Sequence, residues 1–155
     1  MKRIRAVAIV VKDKEILLMY RKNEKEYYTF PGGGVEEGET IERAVLRELE
    51  EETTIKATIN KLLYHHIYDD NTEQYFYLCD YITGQPKLRE DSIEKEKTLQ
   101  GNNSYNPLWV KIEELQNKLV YPLEIRDLVI EDYKNNFRNS VITSTIKISE
   151  LRETL

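Results

Sequence analysis

Cysteine is almost missing from this sequence. Cys79 stands alone, so an internal disulfide and a cysteine-built metal cluster are both excluded. It lies in an apolar run and reads as a buried core thiol. Long apolar stretches are missing as well: residues 6–11, AVAIVV, are too short to span a bilayer and run straight into Lys12-Asp13-Lys14-Glu15. Lys2, Arg3 and Arg5 precede that run, but no small-residue cleavage site follows it. It therefore reads as a strand, and the chain as cytoplasmic. An excess of positive charge is also lacking. The net charge of −5, from 23 Lys and Arg against 28 Asp and Glu, argues against a nucleic-acid polymer or a membrane surface as partner. The only two histidines are adjacent, His65-His66 in a strand-like run, so they point to opposite faces and cannot clamp one metal together. Glycine and proline are few, at six and four, so a cluster of either is informative.

What is present fits one folded unit. A chain of 155 residues with 40% hydrophobic and 33% charged content suits a single domain, 1–155, with one core and a solvated surface. The charge is uneven: residues 1–30 carry eight Lys or Arg against four acids, so the acidity lies downstream. That asymmetry suits a small phosphorylated substrate held between basic and acidic groups, and equally suits ordinary surface variation.

In chain order, residues 3–11 and 15–21 are β-rich runs joined by a hairpin at Lys12-Asp13-Lys14. Residues 23–28 read as a charged connection, with Thr29-Phe30 as a short strand. Residues 57–68 and 74–82 form a second strand pair across the turn-rich DDNTE, and Gly84-Gln85-Pro86 ends it. Residues 87–104 are a long polar segment, a length that in a compact domain is functional or disordered. A strand over 106–112, a short helix over 113–119 and a helix opened by Pro122 through Tyr133 follow, the last with Ile125, Leu128 and Val129 at helical spacing. Residues 141–148 alternate as a strand, with Ile142, Ile146 and Ile148 on one side. The extension over 137–155 is thus a candidate for pairing within the domain or across a homodimer. Together these elements predict an α/β fold in which a mixed sheet is covered on both faces.

Three of the six glycines are consecutive, and they open the most informative stretch, Pro31 to Ile55. Gly32, Gly33 and Gly34 lack Cβ atoms, so their backbone can approach a metal or phosphate closely, and Gly38 lets the chain turn back. Thr40 caps a helix that runs uninterrupted to Thr53, with Glu42 in its first turn. Ile41, Ala44, Val45 and Leu49 mark its apolar side. Glu48, Glu51 and Glu52 fall on that same side, while Arg43 and Glu50 point away. Carboxylates aimed at the body of a protein repel one another and lose hydration. Arg47, four residues before Glu51, can neutralise only one of them, which leaves room for a hard cation.

These spacings match a known pattern. Gly33, five residues, Glu39, seven residues, Arg47-Glu48-Leu49, one residue, Glu51-Glu52, one residue, Thr54 and Ile55 resemble the signature box of the Nudix hydrolases. One position departs: Thr54 stands where the family has glycine. Such a glycine supplies a left-handed residue, so Thr54 either takes negative φ or is strained, and no carboxylate is lost in either case. The resemblance implies a Nudix-type α/β/α sandwich and a MutT-like pyrophosphohydrolase. The reaction it implies is hydrolysis of a phosphoanhydride in a nucleoside diphosphate linked to another group.

It also implies roles. The Gly32 carbonyl, Glu51 and Glu52 would bind Mg²⁺ or Mn²⁺, and Glu48 would bind metal or take the proton from attacking water. Arg47 would orient a carboxylate, Glu39 would brace the loop, and a further acid from a later loop would join. For that last role Glu90, Asp91, Glu94 and Glu96 are the candidates. Arg5, Arg21, Gly33 and Gly34 are the expected substrate contacts. Tyr27, Tyr28, Phe30, Tyr105, Pro107 and Trp109 are placed to stack on a base or to fill the core.

The family's NADH-pyrophosphatase marker beyond the box is absent, and no proline lies between Ile55 and Asp80, which weakens an ADP-ribose assignment. Tyr64 and Tyr68 fall slightly short of the diadenosine-polyphosphate position. Elimination leaves a nucleoside triphosphate, in ordinary or oxidised form. The rival reading is a Nudix-like sensor that binds nucleotide or ADP-ribose without cleaving it. Retention of Glu48, Glu51 and Glu52 favours the enzyme.

Overall fold

A computed structural model describes residues 2–101 and 104–151. Its frame is set by how β1 (Arg3–Lys12) parts from β2 (Glu15–Lys22). Asp13 and Lys14 both take positive φ, 52° and 67°, as the tight two-residue turn of a hairpin requires. The two strands pair antiparallel only beside that turn, at Val11↔Ile16 and Lys12↔Glu15. Beyond it they diverge and the sheet curls. The first half of β1 is flanked by β4 (Gly32–Gly34), antiparallel, and by β6 (Thr72–Thr83), parallel. Strand β2 instead lies between β3 (Glu26–Thr29) and β7 (Ser104–Lys111). A cleft opens where β1 and β2 separate.

Beyond β6 the sheet continues through β5 (Lys56–Tyr68), and β8 (Val120–Tyr121) extends it beyond β3. Strict alternation along β1 sorts the two faces. Ala6, Ala8 and Val10 pack with Ala44, Val45 and Leu49 of α1 (Ile41–Thr53), the two alanines admitting the helix closely. Val7 and Ile9 turn the other way, toward Ile125 and Val129 of α3 (Leu123–Tyr133). The result is the predicted mixed sheet between helices. Leu49 is fully buried, and truncating a side chain so placed costs about 2–5 kcal/mol.

Several boundaries differ from the sequence reading, each for a physical reason. The strand expected at Thr29-Phe30 begins earlier, at Glu26, because Tyr27 and Tyr28 pair with β2 at Arg21 and Tyr20. The polar segment 87–104 holds a helix, α2 (Ile93–Gln100), capped by the Ser92 hydroxyl and ended by Gly101 at φ 77°. The turn between β5 and β6 is shorter than DDNTE. Residues 112–117 form a 3₁₀ turn rather than an α-helix.

The tail strand β9 (Ile142–Ile146) pairs parallel with β5 of its own chain, from Tyr64↔Ile142 to Tyr68↔Ile146. Ile148 lies beyond it in a further 3₁₀ turn, 40% exposed, rather than in line with Ile142 and Ile146. Because the alternating segment finds its partner within the chain, the reason for expecting it to pair across a homodimer falls away. The tail is tied down further by Asp132, which is buried and accepts from Tyr64 at 2.7 Å and from Asn139 at 2.7 Å.

Cys79 is buried as expected, and its thiol is pushed up to about 12 by that burial. The two histidines do part company. His66 is enclosed beside Phe76 and Tyr68, and burial pulls it down to about 4, while His65 lies flat against Tyr75 and meets Glu73 at 2.6 Å. Among the described residues no helix is long and apolar enough to cross a membrane.

Candidate active site

Helix α1 delivers the acids to the cleft, and its start is fixed locally. Gly38 takes φ +80°, and the Thr40 hydroxyl accepts from the Arg43 amide at 3.2 Å. Facing the helix is the glycine strand. A Cβ on Gly32 would come within 2.6 Å of the Ala6 carbonyl, and one on Gly33 within 2.4–2.6 Å of the Glu48 carboxylate. Glycine at these positions therefore lets β4 dock on β1 and lets Glu48 lie against bare backbone.

Arg47 organises the surroundings. Its Nε and Nη2 donate to the two oxygens of Glu39 at 2.6 and 2.8 Å, a bidentate fork. Nη2 also reaches the Gly34 carbonyl at 3.0 Å, and Nη1 reaches Glu48 at 2.9 Å and Glu51 at 3.4 Å. Glu39 in turn accepts from the Glu36 amide at 3.0 Å. The fork to Arg47, with the Glu36 amide behind it, holds the Glu39 carboxyl down at about 2. One guanidinium thus ties the loop after β4 to the helix.

The two acids deeper in the cleft, Glu48 and Glu52, both shift the opposite way to Glu39. Glu52 is pushed well above the usual carboxylate range by burial, then by Glu48 and Glu94; only the Gly32 amide, 3.3 Å from its Oε2, and Arg5 pull the other way. Burial also raises Glu48, against its bond to Arg47, and Glu51 and Glu94 add to the rise. The cleft they line measures about 450 Å³ and is bounded by Arg5, Met19, Arg21, Thr29, Gly32, Gly33, Glu94 and Tyr105 as well. The Arg21 guanidinium lies 3.7 Å from the centre of the Tyr105 ring and 5.6 Å from that of Tyr27.

The predicted set is therefore divided. Glu48, Glu52, Gly32, Gly33, Arg5 and Arg21 meet in one cleft. Glu51 does not join them: it is about one-third exposed and held by Arg47 instead. Gly34 turns its carbonyl to Arg47 and is exposed, so it is no part of the lining. The Gly32 amide points to Glu52, 3.3 Å from its Oε2.

Of the four later acids only Glu94 reaches the cleft. Asp91 pairs with Arg89 at 2.6 Å, Glu90 lies 4.0 Å from Lys95, and Glu96 is exposed. A signal for this was present, since Ser92 and Gly101 bracket residues 93–100 as caps bracket a helix, and a helix fixes which of its acids points inward. Among the aromatics, Phe30 belongs to the core, edge-on to Phe76, and also lines the cleft, while Trp109 packs on Tyr81. Tyr28 packs against Tyr20, and Tyr105 alone of its strand's three candidates lines the cleft.

Among the described residues no three acids or histidines converge as a preformed metal cage. The donor set nevertheless suits a hard divalent cation. Glu48 and Glu52 are oxygen donors crowded by Glu94 and poorly compensated, and a cation among them would relieve both raised carboxyls.

Thr54 takes the strained option, φ 61° and ψ 4°. Its amide continues the helix pattern to Glu50, and its hydroxyl donates to the Gln85 carbonyl at 2.8 Å. Releasing a left-handed β-branched residue gains about 1–2 kcal/mol, but that hydroxyl bond and the freedom of an unfolded glycine offset about as much. Thr54→Gly should therefore shift the urea midpoint little and leave turnover unchanged. A variant that gained activity would show that the box glycine matters to chemistry.

A curled mixed sheet between helices, with a cleft lined by acids, arginines and a glycine strand, is the setting of one known hydrolase family. The NUDIX domain family profile matches residues 1–129, and the chain belongs to the Nudix hydrolases. It is similar to an ADP-ribose pyrophosphatase of Methanocaldococcus jannaschii, 38% identical over 95 residues, covering 57% of this chain and 56% of that one. It also resembles the dihydroneopterin triphosphate diphosphatase of Escherichia coli, 37% identical over 57 residues and covering 36% of this chain and 38% of that one. The chain thus spans about half, or less, of the length of these curated relatives. A solved MutT, from work on Aliivibrio salmonicida and Vibrio cholerae, superposes with TM-score 0.68 at 30% identity, covering 85% of this chain and 99% of that one. A Nudix hydrolase of Nitrosomonas europaea gives TM-score 0.71 at 13% identity over 94% and 80%, a likeness of fold alone.

Proposed function

We propose that this chain is a Mg²⁺-dependent pyrophosphohydrolase that cleaves a nucleoside triphosphate, ordinary or oxidised, with Mn²⁺ as an alternative cation. The observation that carries this reading is the meeting of opposite charges within one cleft, the acids Glu48, Glu52 and Glu94 with the arginines Arg5 and Arg21. A cation and a polyphosphate together satisfy both sets, and neither does so alone.

Bound Mg²⁺ would supply charge neutralisation and a water of lowered pKa. Glu52 and Glu94 would hold it, with the Gly32 backbone beside them. Glu48, its carboxyl already raised, takes the proton from water as general base. Arg47 keeps the Glu48 carboxylate oriented and retains Glu51 nearby. Arg5 and Arg21 bind phosphoryl oxygens, the stack on Tyr105 holding the Arg21 fork in place.

A panel of nucleoside triphosphates, an oxidised triphosphate and ADP-ribose, each with Mg²⁺, tests the reading by formation of the nucleoside monophosphate, with pyrophosphate as co-product from a triphosphate and ribose 5-phosphate from ADP-ribose. Triphosphates are expected to turn over fastest. ADP-ribose leading the panel, in line with the relative's name, would move the substrate class. No product from any member would leave a binding module.

A further inference from the structure

We infer that Thr98 is a positioning residue that sets Glu94 in the cleft through a hydrogen-bond bridge from strand to helix. The inference rests on the reading above that Glu94 serves the site. It concerns how a short helix, remote in sequence from the signature, is held where its acid can act.

Helix α2 has little to fix it. It spans eight residues, Ile93–Gln100, and none of its side chains is fully buried; Ile93 and Leu99 are 65% and 75% exposed. Helices shorter than about 12–15 residues are marginal in water without tertiary support. The caps at Ser92 and Gly101 define where α2 begins and ends but do not attach it to the sheet.

Among the described residues, one hydrogen-bonded attachment runs through the Thr98 hydroxyl. The Thr98 Oγ1 accepts from the Tyr105 amide at 2.9 Å and donates to the Glu94 carbonyl at 2.9 Å. A threonine hydroxyl bonded back to the residue four before it is common in helices; its second bond, to a strand, is the informative one. Tyr105 pairs with Arg21 across β7 and β2, and its ring carries the Arg21 guanidinium. The bridge therefore joins the backbone of Glu94 to β7, whose neighbour β2 bears the Arg21 of the same cleft. The side facing α2 is also the open edge of β7, and Thr98 satisfies an outward amide there.

The test compares Thr98→Val, which keeps the shape and removes the hydroxyl, with Thr98→Ser, which keeps the hydroxyl. Each is combined with Glu94→Gln, and thermal melts check the fold. Losing one such bond should lower kcat with Mg²⁺ by about fivefold to tenfold in Thr98→Val, and Thr98→Ser should restore most of it. Titration of substrate-free protein with Mn²⁺ alone should show weaker binding in Thr98→Val by a similar factor. In the Glu94→Gln background Thr98→Val should add nothing, because the group it positions is already disabled.

A merely structural threonine would lower activity equally in both backgrounds, and that result overturns the inference. So does a Thr98→Val enzyme with unchanged kcat and Mn²⁺ affinity. If Thr98→Val fails to fold, Thr98→Ala takes its place in the same cycle, with the same outcomes deciding. Full activity in Glu94→Gln alone would instead sink the role of Glu94, a separate failure.

Discussion

Glu52→Gln should lower turnover by about 10³-fold, the scale on which a site loses one electrostatic or proton-transfer group. The same change should raise the melting temperature of the metal-free protein. Both follow from the position of Glu52, whose carboxyl is pushed upward by burial and by Glu48 and Glu94. Glutamine keeps the shape and can still accept from the Gly32 amide, but it removes a poorly compensated charge.

The pH dependence fixes the sign. A carboxyl raised in the folded state contributes stability below its unfolded value, near 4.5, and loses it as pH rises through the folded value. The stability advantage of Glu52→Gln should therefore be widest near neutral pH and close as pH falls toward 4.5. Thermal melts in chelator across that range, beside steady-state kinetics with Mg²⁺, check both halves. A destabilised variant at neutral pH would mean that Glu52 is compensated by the protein itself, and the case for a cation would fail.

Arg47→Lys should be nearly as damaging as Arg47→Ala. Partners that orient a metal-site or catalytic carboxylate contribute about 10–100-fold in activity, and the loss should fall on kcat. Lysine keeps the charge but cannot reproduce a guanidinium that forks to Glu39 while reaching Glu48, Glu51 and the Gly34 carbonyl. Both variants should also lose about 1–3 kcal/mol of stability, since charged hydrogen bonds at a partly exposed site are removed. Urea unfolding and kinetics of the two variants decide it. A lysine enzyme near wild-type rate would show that charge alone, without the planar fork, holds the acids.

How much of this could be read beforehand depended on the range of the forces involved. The helix from Ile41, its Thr40 cap and the inward turn of Glu48 and Glu52 follow from 3.6-residue periodicity, a local rule, and the sequence carries local rules openly. Glu51 obeyed the same periodicity and still went elsewhere. The competition between Arg47 and the cleft depends on where the Gly34 carbonyl and Glu39 pull the guanidinium, and spacing along the chain does not encode that. Glu94 was one of four equivalent acids until α2 gave it a direction, and α2 docks through Thr98 rather than through an apolar stripe that a periodicity reading detects. The early start of β3 and the two-residue β8 came from pairing with distant strands, so their own composition carried little sign of them.

The parallel pairing of β9 with β5 has a consequence for the order in which the protein is made. Each β5 residue leaves the ribosome about eighty residues ahead of the β9 residue that covers it, so the nascent chain carries a bare sheet margin over that interval. A ribosome stalled before Ile142 emerges should therefore display a chain with an unshielded flank, open to recruitment by neighbouring nascent chains.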